Sequence, residues 1–184
     1  MDIIKKKIIT LCKKKFLNFN IDFKGKSLSL ILKDKKNYHF ANDELKKILY
    51  LSKILDQDIR LCLHSNFLST LQSMIIVNRK SSILFPHYHK NMDEVFSIIY
   101  GSCYFYKFDK KGKIVEKLQM SSKSNSIKYV PSSHIHLIIP RSPFLVFHET
   151  HKGPFSRYNR NFYLPAWFKK MTSKKQLIFL KNLI

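Results

Sequence analysis

Cysteine is scarce in this chain of 184 residues, and its three positions form no framework. Cys12, Cys62 and Cys103 are an odd number, lie far apart and lack the paired spacing of a zinc site. This pattern argues against a disulfide scaffold and against a zinc site built from cysteines. We expect reduced thiols, which suit a cytoplasmic protein.

Long apolar runs are also lacking. The basic stretch at Lys5–Lys7 is not followed by an apolar segment of signal-peptide length, and no segment approaches the length of a membrane span. The sequence therefore predicts a soluble, cytoplasmic chain without a membrane span. Its length and its 45% hydrophobic content suffice for one core, and nothing suggests a second.

Acidic residues are few, since 12 Asp and Glu stand against 34 Lys and Arg, and the formal net charge is +22 at pH 7. Only 5 of those 34 are arginine, and the lysines are spread along the chain, a bias typical of an adenine- and thymine-rich genome. There is no arginine-rich recognition helix, zinc finger or aromatic RNP-type motif, so we expect no specific nucleic-acid partner. The positive field would still attract a small anionic or sugar-like substrate.

A metal-binding pattern is present between residues 86 and 101, with the spacing H-x-H-x4-E-x6-G. His87 and His89 share one face of a predicted strand, because side chains two residues apart in a strand point the same way. The hydrophilic residues 90–93 predict a turn that brings Glu94 back to the same wall. Two imidazoles and one carboxylate can therefore meet.

A second pattern supplies a third imidazole. The apolar alternation after Pro131 predicts another strand, in which His134 and His136 have the same parity. We take His136 as the third histidine. The set suits one divalent ion per chain, with Fe, Mn, Ni and Zn as candidates. The predicted ligands are His87, His89, Glu94 and His136.

These two motifs resemble those of the cupin superfamily, whose fold is a small double-stranded β-helix, or jelly-roll, barrel. Further residues narrow the resemblance to the WbuC-family cupin-fold metalloproteins, which are associated with bacterial surface-polysaccharide gene clusters and have no settled reaction. The residues that carry this resemblance are Arg60, His64, Gln72, Phe108, Asp109, Gly112, Glu149, Gly153, Pro154 and Phe155. It covers roughly residues 45–168. Cys62, Ser133 and Phe155 depart from the pattern, at positions where asparagine, glycine and tyrosine are usual.

The resemblance implies catalytic roles for His64 and Glu149, as groups that move a proton near the metal. Each also has a structural alternative. His64 could be a loop histidine that satisfies backbone groups, and Glu149 could form a salt bridge with Arg60 or Lys152.

Three residues are candidates for substrate binding: Arg60, Gln72 and His134. Gln72 could orient a substrate hydroxyl or lie on the polar edge of the barrel. His134 could line the barrel mouth or remain an unliganded polar side chain in an apolar wall.

The predicted architecture is mainly β, a single jelly-roll barrel with N-terminal helical elements and a short C-terminal helical tail. Its parts are an extension at 1–59, the barrel at 60–156 and an aromatic, basic tail at 157–184. Residues 1–19 have helical spacing, 27–32 predict a strand, and a helix from Asn42 to Leu55 would close one end of the barrel. Trp167 could dock the tail. Eight strands are predicted at 72–78, 81–87, 94–100, 102–108, 113–120, 126–131, 134–139 and 143–149.

The resemblance implies a metal-dependent enzyme of isomerase or epimerase type, acting on a sugar or sugar-derived intermediate in bacterial surface-polysaccharide, such as O-antigen, biosynthesis. This function rests on the resemblance, because a fold does not dictate a reaction. Two alternatives stay open. One is an Fe(II)-dependent dioxygenase with the same ligands, and the other is a non-catalytic saccharide-binding or regulatory module. A homodimer is also implied by the resemblance to cupins.

Overall fold

The computed structural model describes residue 10 and residues 16–23, 27–33, 37–154 and 162–184. Its helices are α1 (Asn42–Leu55), α2 (Ala166–Lys169) and α3 (Ser173–Lys181). Its strands are β1 (Phe19–Asp22), β2 (Leu28–Leu32), β3 (Ile59–Cys62), β4 (Leu71–Arg79), β5 (Tyr88–His89), β6 (Glu94–Tyr100), β7 (Ser102–Phe108), β8 (Ile114–Ser121), β9 (Ile127–Val130), β10 (Ile135–Pro140), β11 (Phe144–Lys152) and β12 (Phe162–Tyr163). The helix predicted within residues 1–19 lies largely outside the described residues. None of the described helices is long and apolar enough to cross a membrane.

The strand pairing is that of a jelly roll. Among the eight strands β4 to β11, the first pairs with the last, the third with the sixth and the fourth with the fifth, all antiparallel. His87, directly before the second strand, forms an antiparallel bridge with His136 of the seventh. This nested pairing produces sheets in the orders β1-β2-β3-β4-β11-β6-β9 and β10-β7-β8, with β5 and β12 as a short ribbon. The predicted fold class is therefore confirmed.

The barrel interior is filled by apolar side chains from both sheets. Phe96, Phe105, Met120, Ile138 and Phe147 belong to one buried cluster. They follow the two-residue alternation of their strands, because one face of each strand is turned inward. Polar residues of the same parity continue this face toward one end of the barrel.

Apolar layers also cover the outer faces of the two sheets. Ile48 and Leu51 of α1 pack against buried residues of β1 to β4 and β11. The helix therefore covers the outside of the larger sheet, and the expectation that it closes an end of the barrel was wrong. Strands β1 to β3 extend that sheet, and the three-part division of the chain stays a prediction.

The C-terminal tail packs against the outer face of the smaller sheet. Trp167 and Phe179 contact each other and Phe108, with ring centroids 5.3–6.0 Å apart. Tyr106 donates a hydrogen bond from its hydroxyl to the Leu183 carbonyl at 2.5 Å. The expected docking of the tail through Trp167 is observed. Composition suggested a single core, but the tail adds a second set of apolar contacts outside the barrel interior.

Candidate metal centre

The candidate metal centre lies at one end of the barrel, where the two sequence motifs meet. His87 and His136 bridge through their backbones, with N–O distances of 3.0 and 2.8 Å. A strand was predicted at 81–87, but β5 contains only Tyr88 and His89. Pro86 has no N–H to donate to a sheet, which weakens pairing before His87.

Four side chains converge at this point: His87, His89, Glu94 and His136. Their potential ligand atoms all lie within 4.8 Å of one another. The Glu94 carboxylate lies 3.0 Å from Nε2 of His89 and 3.2 Å from Nε2 of His136. Glu94 is 3% exposed and His136 1% exposed. The structure thus brings together the four residues that the sequence spacing selected.

Backbone carbonyls hold two of the imidazoles in a ligating orientation. Nδ1 of His87 lies 3.0 Å from the Phe85 carbonyl oxygen, and Nδ1 of His136 lies 3.0 Å from the His134 carbonyl oxygen. A ring that donates from Nδ1 keeps the lone pair on Nε2, which is the usual arrangement of a metal-binding histidine.

The environment also favours the protonation states that a metal requires. Burial, together with the nearby His136 and His89, holds the pKa of His87 well below its usual value. A neutral imidazole is the form of histidine that binds metal ions.

The cluster fits a metal ion by a further criterion. Nε2 of His136 and Oε2 of Glu94 are buried, and neither forms a hydrogen bond of good geometry with the described residues. Buried polar atoms without a hydrogen bond are rare and call for an explanation such as an ion. The cluster could therefore hold one divalent ion.

Asp93 ties the two motifs together at the surface. Its carboxylate accepts a hydrogen bond from the Ser132 backbone N–H at 2.8 Å and one from the Tyr129 hydroxyl at 2.9 Å. The turn before Glu94 is thereby linked to the turn before His136. These hydrogen bonds hold together the two chain segments that supply the candidate ligands.

Glu149 lies on the same inward face as Glu94. Its cross-strand partner is two residues after Glu94, which places Glu149 deeper in the barrel. It is half-buried and paired in register with Phe96, and it forms no hydrogen bond or ion pair with the described residues. Burial and the negative charge of Glu94 raise its pKa to about 7, although Arg60 and His89 oppose the shift. The structural alternative, a salt bridge with Arg60 or Lys152, is not seen among the described residues. A carboxyl of this kind is suited to proton transfer near neutral pH.

His64, the other predicted catalytic residue, is not one of the four clustered side chains. His64 is buried just after β3, and its Nδ1 lies 3.1 Å from both the backbone N and O of Ser73. These contacts are those of the structural alternative. The catalytic role of His64 stays a prediction.

The three predicted substrate-binding residues lie around the cluster without joining it. Arg60 is exposed and close enough to act electrostatically on Glu149. Gln72 is buried and donates from Nε2 to the Ser69 carbonyl at 2.8 Å. His134 is half-buried in the turn before β10. Their contacts with a substrate stay predictions.

Two further residues near the cluster were not selected from the sequence. His151 is buried and is the cross-strand partner of Glu94, and its parity with Glu149 was the available signal. The Phe162 ring stacks on His87 with centroids 4.3 Å apart. The strand pairing of β12 with β5 brings Phe162 there from the distant tail.

The fold and the site together define a jelly-roll barrel that carries a cluster of three histidines and one carboxylate at one end. A family model described as a domain of unknown function, DUF6016, matches residues 57–120. No curated protein matches the sequence.

Solved structures show a similar arrangement of strands. The capsular polysaccharide assembling protein CapF from Staphylococcus aureus is 15% identical, with a TM-score of 0.46 over 53% of this chain and 27% of CapF. An uncharacterised double-stranded β-helix protein from Klebsiella pneumoniae is 12% identical, with a TM-score of 0.45 over 58% of this chain and 78% of its own. An RmlC-like cupin family protein from Methanocaldococcus jannaschii is 20% identical, with a TM-score of 0.44 over 64% and 89%.

This chain spans less than a third of the length of CapF. Because identities and TM-scores are this low, the jelly-roll assignment rests on the strand pairing of the chain itself.

Proposed function

We propose that this protein is a metal-dependent cupin enzyme that moves a proton on a sugar or sugar-derived substrate, as an isomerase or epimerase does. The observation that carries the proposal is the pairing of two features at one barrel end. One is the cluster of three histidines and Glu94, and the other is the half-buried Glu149 beside it, which has no ion-pair partner among the described residues. A metal site with a purely structural role would not require a carboxyl such as that of Glu149 beside it.

The four clustered side chains would hold the ion, and Glu149 would exchange a proton with the substrate. A bound divalent ion supplies Lewis acidity, which polarises a substrate carbonyl or hydroxyl. Glu149 can both accept and donate a proton near neutral pH, because its pKa is raised to about 7. Phe162, stacked on His87, shields one side of the ligands from water.

The substrate class and pathway come from the resemblance to WbuC-family proteins, so surface-polysaccharide biosynthesis is part of the proposal. A cytoplasmic location is supported by Cys62 and Cys103, which are buried free thiols. A homodimer follows from the same resemblance, and light scattering on purified protein would measure it.

The first experiment is elemental analysis of untagged protein, comparing wild type with His87→Ala and His136→Ala. His39→Ala is the matched control, because His39 is an exposed histidine that does not belong to the cluster. We expect near-stoichiometric metal in wild type and control, and its loss from both cluster variants. Equal metal contents in all four proteins would contradict the assignment of the ligands.

The second experiment tests proton transfer. Wild type and Glu149→Gln, each checked for metal content, are incubated in D2O with a panel of nucleotide sugars and uronic acids. Mass spectrometry then detects deuterium at exchangeable carbon positions. We expect exchange only in wild type. Substrate-dependent oxygen uptake without deuterium exchange would identify a dioxygenase, and saccharide binding that Glu149→Gln leaves unchanged, without turnover, would identify a binding module.

A further inference from the structure

A lysine lies on the inner wall of the barrel, in the strand that pairs with the strand of His136. Lys107 of β7 is the cross-strand partner of His136. It has the same parity as Phe105, which lies in the barrel core. Because cross-strand partners point to the same face of a sheet, the Lys107 amino group is directed into the barrel mouth.

A second lysine reaches the same part of the mouth from the opposite sheet. Lys128 of β9 is the cross-strand partner of Phe96 and is half-buried. Its Nζ lies 5.1 Å from the centroid of the Phe105 ring and 2.5 Å from Oε1 of Glu116. Phe105 lies two residues before Lys107 on the same face of β7, so Lys107 and Lys128 lie on neighbouring parts of the inner wall.

Glu116 is the cross-strand partner of Lys107, but its carboxylate is bonded to Lys128. Lys107 forms no ion pair with any residue that the structure describes. Lys107 is nonetheless half-buried. Burying a charge costs free energy unless the charge is paired, so an anion that enters the barrel mouth would be a favourable partner for Lys107. A lysine is well suited to binding the oxygens of a carboxylate or phosphate.

We propose that Lys107, supported by Lys128, forms an anion-binding subsite that takes the acidic group of the substrate beside the candidate metal centre. The substrate class is therefore a sugar derivative that carries a carboxylate or a phosphate. This assignment of class rests on the proposed function, whereas the anion subsite itself does not require catalysis.

The test is calorimetric titration of Lys107→Met, Lys107→Arg and wild type. The probes are glucuronate, glucose 1-phosphate and neutral glucose. Lys110→Met is the matched control, because it removes one exposed lysine of the hairpin next to β7 and so the same net charge. Each protein is titrated with and without added Mn(II), and its metal content is measured. The two anionic probes distinguish a carboxylate subsite from a phosphate subsite.

We expect wild type, Lys107→Arg and Lys110→Met to bind one of the anions more tightly than glucose. Lys107→Met should bind that anion at least about tenfold more weakly, the equivalent of about 1.4 kcal/mol. Equal anion affinity in Lys107→Met and wild type would overturn the proposal, as would a wild type that prefers neither anion over glucose. Anion binding by a wild type that does not bind Mn(II) would support the subsite independently of the proposed metal-dependent function.

Discussion

Replacement of Glu94 by glutamine should abolish most of the stabilisation that a divalent metal gives this protein. Glu94 is the only acidic member of the four-residue cluster, and its carboxylate lies 3.0 and 3.2 Å from two of the imidazoles. Glutamine has nearly the same shape but no negative charge. The substitution therefore tests the charge of the ligand and leaves the packing almost unchanged.

The expected magnitude follows from linkage. Free metal at about 100 times its Kd stabilises the folded state by about 2.7 kcal/mol. For a domain of this size each kcal/mol raises Tm by about 2–4 °C, so wild type should gain about 5–11 °C. Removing a residue that hydrogen-bonds a metal ligand weakens metal binding by up to about 100-fold. Removing a charged ligand should weaken metal binding at least as strongly. At the same metal concentration Glu94→Gln would then gain about 0.4 kcal/mol, or about 1–2 °C.

The assay is thermal unfolding followed by circular dichroism, with each of Fe(II), Mn(II), Ni(II) and Zn(II) added to chelator-treated protein. His39→Ala should shift as wild type does, because His39 is exposed and does not belong to the cluster. An equal Tm shift in Glu94→Gln and wild type would show that the ion binds elsewhere. No shift in wild type with any of the four metals would refute the metal centre.

Three further predictions concern residues around the barrel. Gly112→Ala should lower the free energy of unfolding in urea by about 1–3 kcal/mol. Gly112 has φ +91°, and a Cβ there would lie 2.8 Å from Trp167. Unchanged stability would contradict the docking of the tail. In the metal-free protein Glu149 has a folded-state pKa raised from 4.5 to about 7, so the folded protein binds its proton more tightly. Metal-free wild type should therefore lose stability as pH rises from about 4.5 to about 7. Glu149→Gln should remove that component of the loss, and identical pH–stability curves would refute the shift. Asp93→Ala should weaken metal binding in a competition titration with a chelator, because it removes the hydrogen bonds that link the turns before Glu94 and His136. Unchanged affinity would show that the turns keep their positions without these hydrogen bonds.

The fold class was predictable from local patterns. Strands β4 and β6 to β11 lie close to their predicted bounds, because alternation of apolar and polar residues reports which face of a strand is buried. The region before His87 was the exception. Its apolar residues suggested a strand, but Pro86 lacks the N–H that pairing needs, and only Tyr88 and His89 form β5.

The four clustered residues could be chosen from the sequence for a physical reason. His87 and His89 share a face by parity, a short turn returns Glu94, and His136 occupies an equivalent position in the strand that bridges to the first motif. Each step depends on neighbours in the chain or on one strand pairing. His87, His89 and Glu94 are therefore brought together at short range, whereas His136 joins them through the pairing of distant strands.

What the sequence by itself determined is the jelly-roll class and the composition of the candidate metal set. Only the tertiary structure decided which other groups face that set, because this depends on register between strands far apart in the chain. Register placed Glu149 beside the cluster, away from any salt-bridge partner in the described part of the chain. It also brought Lys107 next to His136 and stacked Phe162 on His87. No local pattern contains those distances, since each joins segments that meet only when the barrel closes.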